Sequence, residues 1–293
     1  MVVTRSWLRL SRFAVAAVAA SLILSAGDVD GQSGAPDQTL ARLSEYVEQY
    51  YTRAQSIVTN ESVTVQQIKR DLTVDGFARR LVYELRVEWD PSVSGDESPA
   101  KVTRQLLTVN GKPPREGDEP KCLDPPSVSP EPLAFLLPDH RHKFAFASAG
   151  IGRIDRRDLL MVDFRSLEED EPVVEGTEEC IKLNGVRRMR GRVWADPETA
   201  AIVRLEERLH GMVDFQLPRK LQRITSALYM TLERSEKSIR YRPVLFSDPD
   251  ETLMLPAEIV TTWMWRTPGS SGSRITQSFS NYRRFVTAGR ILR

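Results

Sequence analysis

Residues 191–208 read GRVWADPETAAIVRLEER, and this stretch decides the fold because it is typical of one β-hairpin. In its second arm apolar and mainly charged residues alternate, with Ala201, Val203 and Leu205 opposite Ile202, Arg204, Glu206 and Arg208. In its first arm Val193 and Ala195 alternate with Arg192 and Trp194. Asp196-Pro197-Glu198-Thr199 between the arms favours a type I turn, since Asp suits its first position and Pro presets φ at its second. The stretch therefore predicts two antiparallel strands with one face toward the core and one toward water.

The same period of two recurs along most of the chain beyond the hairpin. It predicts further strands at 62–72, 79–90, 101–109, 142–147, 158–166, 238–246, 258–266 and 274–286. Asn110-Gly111 predicts a tight hairpin turn, and Gly150-Ile151-Gly152 predicts the loop between two of these strands. Pro243 places its strand toward a sheet edge or a bulge, because proline cannot donate to a ladder. Residues 224–234 are left open as strand or short helix.

A single long amphipathic helix precedes the strands. Asp37 is a suitable N-cap, and an apolar stripe at spacings of three and four runs to about Val58. The members of the stripe are Leu40, Leu43, Val47, Tyr50, Tyr51, Ala54 and Ile57. One helix followed by about ten strands with short connections predicts an α+β fold built on a curved antiparallel sheet. A twisted sheet of this size curls, and the helix is available to cover its concave, apolar face.

The first residues predict export. Arg5, Arg9 and Arg12 form a basic region, and an uncharged apolar run follows over residues 13–26. That run is shorter than the roughly 20 residues of a membrane span, so it favours a Sec-type signal peptide over residues 1–26. An uncleaved N-terminal anchor is the alternative. After cleavage we expect a flexible N-terminus at 27–36, no stable transmembrane segment, and a periplasmic or secreted protein.

The composition is that of a globular domain, and it excludes a strong electrostatic role. The 293 residues are 41% hydrophobic and carry a formal net charge of +1, so no strong field would attract nucleic acid. The two cysteines, Cys122 and Cys180, predict a disulfide in an oxidising compartment, with two buried free thiols as the alternative. Such a bridge contributes on the order of 4 kcal/mol in the chain-entropy picture. Residues 130–137 are apolar between prolines and predict a short helix or turn under the sheet.

Recognisable catalytic equipment is absent from the sequence. It holds no Gly-x-Ser-x-Gly elbow, no His-Glu-x-x-His, no P-loop and no Gly-x-Gly-x-x-Gly after a strand. His140 and His142 lie two apart but have only Asp139 beside them, which favours a loop-to-strand junction over a metal site. Asp248, Asp250 and Glu251 lack the spacing of a calcium loop. We therefore expect no metal, no cofactor and no enzymatic activity. A hydrolase whose carboxylates meet only in the fold remains a weaker hypothesis.

Three short motifs carry a resemblance to a known group. VWADPETAAIVRLE in the hairpin, LMLPAEIVTTW at 253–263 and NYRRF at 281–285 resemble the LolA/LolB-like periplasmic lipoprotein-carrier superfamily, including uncharacterised exported bacterial members. The likeness covers most of residues 37–285. It implies a half-open β-barrel of about ten strands wrapped around the N-terminal helix, with an apolar cavity for acyl chains. Residues 37–293 would form this single domain, with a proline-rich insertion at 112–138. No functional residue is transferred, because no position matches the family's lid-locking arginine.

The leading hypothesis is a non-enzymatic carrier or binder of a lipid, a lipoprotein acyl chain or another apolar ligand on the concave face. Candidate wall residues are aromatic, with ordinary core packing as the alternative for each: Tyr83, Trp89, Trp194, Trp263 and Trp265. The second hypothesis is a cell-envelope module that binds a protein partner through a sheet edge or the insertion.

Overall fold

A computed structural model of the chain describes residues 35–54, 56–89, 100–118, 124, 132–167, 173–176, 181–184, 186, 188–247, 249–266 and 272–284. The helices are α1 (Ala35–Arg53), α2 (Pro138–Arg141) and α3 (Arg219–Thr225), with a 3-10 helix at Leu133–Leu136. The strands are β1 (Ser56–Ile68), β2 (Val74–Trp89), β3 (Ala100–Val109), β4 (Phe144–Ile154), β5 (Arg157–Ser166), β6 (Val173–Gly176), β7 (Ile181–Asn184), β8 (Met189–Ala195), β9 (Ile202–Leu209), β10 (Val213–Gln216), β11 (Tyr229–Ser247), β12 (Asp250–Arg266) and β13 (Gly272–Arg284).

The strands form one open, curved antiparallel sheet, which confirms the predicted α+β class. Its order is β3-β2-β1-β13-β12-β11-β9-β8-β5-β4, and β10 pairs with β11 as the eleventh strand. β6 and β7 pair with each other in a separate two-stranded antiparallel sheet. β13 pairs with β1, so the end of the described chain closes against its first strand.

The predicted hairpin is present as β8 and β9, but its inward face differs from simple alternation. Trp194 pairs with Arg204, whereas Ala195 pairs with Ile202, so Val203 is an extra residue in the ladder. This β-bulge turns Ile202 into the core, where it is 1% exposed, and leaves Val203 half-buried. The expected assignment of Ile202 to the charged face and Val203 to the core was wrong, because a bulge shifts the period of the strand by one residue.

The turn between β8 and β9 has the predicted chemistry. Asp196 Oδ1 accepts hydrogen bonds from the backbone N–H groups of Glu198 and Thr199, both at 2.9 Å. The backbone N–H of Thr199, its hydroxyl and the N–H of Glu198 hold the pKa of Asp196 below its usual value against the opposing effect of burial. Arg42 of α1 donates to the carbonyl oxygens of Pro197 and Glu198 at 3.0 and 2.7 Å. The N-terminal helix is thereby fixed to the tip of the hairpin.

The helix is shorter than predicted at its C-terminal end. α1 begins at Ala35, so Asp37 lies in its first turn, and it ends at Arg53. The predicted end at Val58 was wrong because β1 already begins at Ser56. The run Ile57-Val58-Thr59 is β-branched throughout, which favours strand over helix. The apolar stripe nevertheless reaches the core, with Leu43, Val47, Tyr50, Tyr51 and Ala54 all buried.

Strand β4 is longer in the structure than the sequence predicted. β4 continues through Gly150 by means of a register shift between Ser148 and Ile151, so residues 150–152 are not the loop that was expected. The turn lies instead at Asp155-Arg156, where both residues have positive φ, as a tight hairpin requires. Asn110-Gly111 also turns with positive φ, as predicted, although the returning chain forms only one bridge, from Val109 to Lys112.

The structure also defines three further regions. The 224–234 segment contains both of its alternatives, the end of α3 and the start of β11. His140 lies in α2 and His142 directly follows it, so the two histidines do not share a strand. The 3-10 helix buries Leu133, Phe135 and Leu136, as the proline-flanked segment predicted.

All described residues fall in one compact unit, residues 34–293. The predicted signal peptide (1–26), Cys122, Cys180, most of the flexible N-terminus (27–36), and residues 119–123 and 125–131 of the proline-rich insertion (112–138) lie outside the described residues. The disulfide and these boundaries stay predictions. Within the described residues, we find no helix with the length and apolar character to cross a membrane.

Candidate functional site

The face of the sheet that carries α1, called the concave face here, holds the main apolar core. α1 contributes Leu43 and Val47, and the 3-10 helix contributes Phe135. The sheet supplies buried residues from β1, β2, β5, β8, β9, β11, β12 and β13. Ring packing links the 3-10 helix to β5, with the centroids of Phe135 and Phe164 4.5 Å apart. Helical cover therefore accounts for this part of the concave face.

A second apolar cluster continues the concave face along β1 and β2. Its buried residues are Val63, Val65, Leu81, Tyr83, Val109 and Ile275. Strand alternation places Tyr83 on the same side as Leu85, which belongs to the main core. The partly buried apolar residues packed against the cluster are Leu106 and Trp263, both from the sheet itself. Among the described residues, no helix contributes an apolar side chain to this second cluster.

Glu61 lies on the concave face of β1 at the junction of the two clusters. Its residue exposure is 0%, and it occupies an inward position two residues before Val63. Arg104 of β3 forms a short ion pair with Glu61 Oε1, and Gln277 of β13 donates to the same oxygen at 2.7 Å. Glu61 Oε2 is buried with no hydrogen-bond partner among the described residues. A fully buried charge with one unpaired oxygen is unusual and costs free energy, so this carboxylate is a candidate functional group.

A second ion pair lies on the same face. Arg79 of β2 contacts Asp124 at 3.3 Å, and the Asp124 side chain is 1% exposed. Asp124 belongs to the insertion, so this segment brings a carboxylate to the concave face. Burial raises the pKa of Tyr83, and the negative charge of Asp124 adds to that effect. Tyr83 also lies under the Arg104 guanidinium, 5.1 Å from ring centroid to cation. Tyr83 thus sits between both ion pairs.

The predicted aromatic wall residues do not form one site. Tyr83 and Trp263 meet at the second cluster. Trp265 packs with two smaller clusters further along the concave face, its ring 5.8 Å from Phe215 in a T-shaped contact. Trp194 alternates with Val193 and Ala195 of the main core and therefore lies on the opposite, convex face beside Arg192. Trp89 ends β2, and its side chain is outside the described residues.

Other candidate sites are weaker. A shallow depression of about 390 Å³ beside β10 and α3 is lined by Val174, Gln216, Leu217, Pro218, Arg219 and Gln222. It contains none of the predicted wall residues. In the part of the chain that the structure describes, no group of three or more His, Cys, Asp or Glu side chains is placed to hold a metal.

Sequence reasoning missed Glu61, Arg104 and Gln277. With β1 predicted to start at Ser62, Glu61 fell outside the strand and its inward position was not visible. The signal was the alternation Ile57, Thr59, Glu61, Val63, Val65, in which a carboxylate interrupts an otherwise inward-facing row. The cross-strand partners come from β3 and β13, which are distant in sequence. Only the pairing of the sheet brings them together.

Comparison with known proteins gives structural matches but no sequence family. No family model matches the chain, and no curated protein matches it. The structural matches include a LolA superfamily protein of Nitrosomonas europaea (9% identity, TM-score 0.32, covering 84% of this chain and 94% of the other). They also include a putative outer membrane lipoprotein-sorting protein domain of Vibrio parahaemolyticus (7%, 0.36, 87% and 95%). A DUF1329 family protein of Desulfovibrio piger matches similarly (11%, 0.36, 86% and 94%). The Nitrosomonas europaea protein is named as a member of the superfamily that the three sequence motifs resemble.

Proposed function

We propose that this protein is an exported, non-enzymatic carrier or binder of a lipid or another apolar ligand, held on the concave face of the sheet. The observation that carries the proposal is the second apolar cluster around Tyr83. Its described apolar neighbours all come from the sheet, whereas the main core has α1 and the 3-10 helix over it. A buried apolar cluster next to a helix-covered core is the kind of lining that an acyl chain complements, since apolar sites rely on shape and few polar groups.

The charged groups of this face support binding rather than hydrolysis. Both buried carboxylates, Glu61 and Asp124, are paired with arginines. Carboxylates that are paired with arginines in this way are typical of structural ion pairs, whereas a hydrolase needs one carboxyl group as acid and another as base. The proposed export is supported by the basic and apolar pattern of residues 1–26, which is typical of a signal peptide and favours the periplasm or the outside of the cell.

The first test is extraction of the purified protein with organic solvent, followed by mass spectrometry of the extract. We expect a stoichiometric lipid or other amphiphile. An extract without one, together with no binding of an added acyl probe, would overturn the proposal.

The second test uses two matched variants on one strand. Trp263→Leu alters the second cluster, whereas Trp265→Leu alters the smaller clusters two residues further along the same face. We expect Trp263→Leu to lower the amount of bound amphiphile and Trp265→Leu to leave it unchanged. Equal effects of the two variants would contradict the assignment to the second cluster.

A protein-binding role in the cell envelope is the second candidate, and one observation favours it. β11 pairs with β9 only as far as Arg240, and among the described residues the backbone of Arg242–Ser247 pairs only with β12. Leu245 in this free flank is 81% exposed. A free strand flank with an exposed apolar residue is a template for adding a partner strand.

A photo-crosslinking residue at Ser247 tests the second candidate in intact cells. We expect one defined adduct, lost when Leu245 is changed to Lys. The control carries the crosslinker at Arg153 of β4, at the far edge of the sheet. Adducts of equal yield at both positions would contradict a specific partner.

A further inference from the structure

The unpaired oxygen of Glu61 is the starting point. Glu61 Oε2 is buried, and no described residue donates a hydrogen bond to it. A buried ionised acceptor without a donor is strongly unfavourable, so native structures rarely leave one unsatisfied. Arg104 and Gln277 both bind the other oxygen, Oε1, and so neither of these contacts satisfies Oε2. A donor is therefore needed at this point of the concave face.

The charge balance of the site indicates which kind of donor is suitable. Glu61 and Asp124 face Arg104 and Arg79, so the four described charges cancel. A ligand bearing a net charge would add an uncompensated charge to a buried site, which is costly. Arg79 Nε is also buried with no described partner, so this face presents a donor in addition to the acceptor of Glu61. A neutral group that both donates and accepts complements this pair of atoms.

The surroundings of Glu61 are apolar. Val63 and Val65 follow it on the inward side of β1, and the buried rings of Tyr83 and Phe279 lie opposite it on β2 and β13. We propose that Glu61 is the polar end of the apolar binding surface and selects neutral amphiphiles whose head group carries a hydroxyl or amide N–H next to an acyl chain. Fatty acids, whose carboxylates would meet Glu61, are disfavoured. This inference rests on the proposed function and specifies the class of its ligand.

Three ligands with the same acyl chain test the inference on the purified, delipidated protein. Monolauroylglycerol is neutral and has hydroxyl donors, methyl laurate is neutral without a donor, and laurate is anionic at about pH 8. We expect monolauroylglycerol to bind at least about tenfold more tightly than either of the others, measured by titration calorimetry below the micellar concentration. Equal affinities for monolauroylglycerol and methyl laurate would overturn the role of Glu61, while leaving an apolar binder intact. Binding of none of the three would count against the proposed function itself.

A pair of variants locates the selectivity. Glu61→Gln removes the negative charge that faces Arg104. We therefore expect the affinity for laurate, relative to the affinity for monolauroylglycerol, to rise by at least about tenfold. The control is Glu207→Gln, which alters a different carboxylate, paired with Lys237 at 3.7 Å between β9 and β11. The control should keep the wild-type order. If the Glu61→Gln protein ranked the three ligands by affinity as the wild type does, the proposal would be overturned. If that variant does not fold, the affinities of the wild-type protein for the three ligands decide the question.

Discussion

Replacing Glu61 by leucine tests whether the buried ion pair behaves as one unit. Glu61 is 0% exposed, and the Arg104 side chain is 6% exposed. Removing the carboxylate leaves the guanidinium without its facing charge and also removes the acceptor of Gln277. Breaking a buried pair by removing one partner costs about 3–5 kcal/mol, because the remaining charge stays desolvated. We expect Glu61→Leu to lower the free energy of unfolding by that amount.

The double variant Glu61→Leu, Arg104→Met supplies the decisive comparison. Replacing both charges by apolar groups of similar size is often neutral, so we expect its stability to return to within about 1 kcal/mol of the wild type. The assay is urea unfolding followed by tryptophan fluorescence and circular dichroism. The control is the exposed cross-strand pair Arg240–Glu258, with 3.0 Å between its charged groups, where Glu258→Leu should cost less than about 1 kcal/mol. The single variant Arg104→Met completes the comparison. If the stability losses of Glu61→Leu and Arg104→Met added up to the loss of the double variant, the two charges would not be coupled and the reasoning would be refuted.

Three further predictions concern the hairpin. Ile202→Ala should lower the free energy of unfolding by about 2–5 kcal/mol and Val203→Ala by about 1 kcal/mol or less, because the bulge buries Ile202 but leaves Val203 half-buried. Urea unfolding measures both values, and a larger loss for Val203→Ala would contradict the bulge. Gly191→Ala should reduce the yield of folded protein and its melting temperature, since an added Cβ would lie 2.0 Å from a backbone oxygen of β9; an unchanged melting temperature would show that the strands separate easily. The backbone N–H of Thr199 holds the pKa of Asp196 low in the folded state, so its stabilisation is present above the unfolded value and lost as pH falls through the folded pKa. Asp196→Asn should therefore flatten the fall of melting temperature below about pH 4, and an identical slope would contradict this.

Local patterns were sufficient for the elements but not for their limits. The alternation in β2 and β12, the turn at Asn110-Gly111 and the position of Pro243 were readable because each depends on neighbours in sequence. Arg240 is the last residue of β11 that pairs with β9, and the register with β12 shifts between Arg240 and Tyr241. Pro243 lies just beyond both features, where β9 no longer pairs with β11, and a residue without an N–H is tolerated there. The end of α1 was misplaced because the apolar stripe continues through Ile57 into β1, and both helix and strand bury that residue.

The sequence by itself determined an α+β chain in which a helix covers one face of an antiparallel sheet, since period and turn chemistry are local properties. The tertiary structure decided which residues share a face. The bulge at Val203 reverses the burial of Ile202, and Trp194 lies away from Tyr83 although both are aromatic strand residues. The meeting of Glu61, Arg104 and Gln277 depends on the order β3-β2-β1-β13, which joins segments more than 200 residues apart. Register and strand order follow from the summed pairing of the whole sheet, so no single segment encodes them.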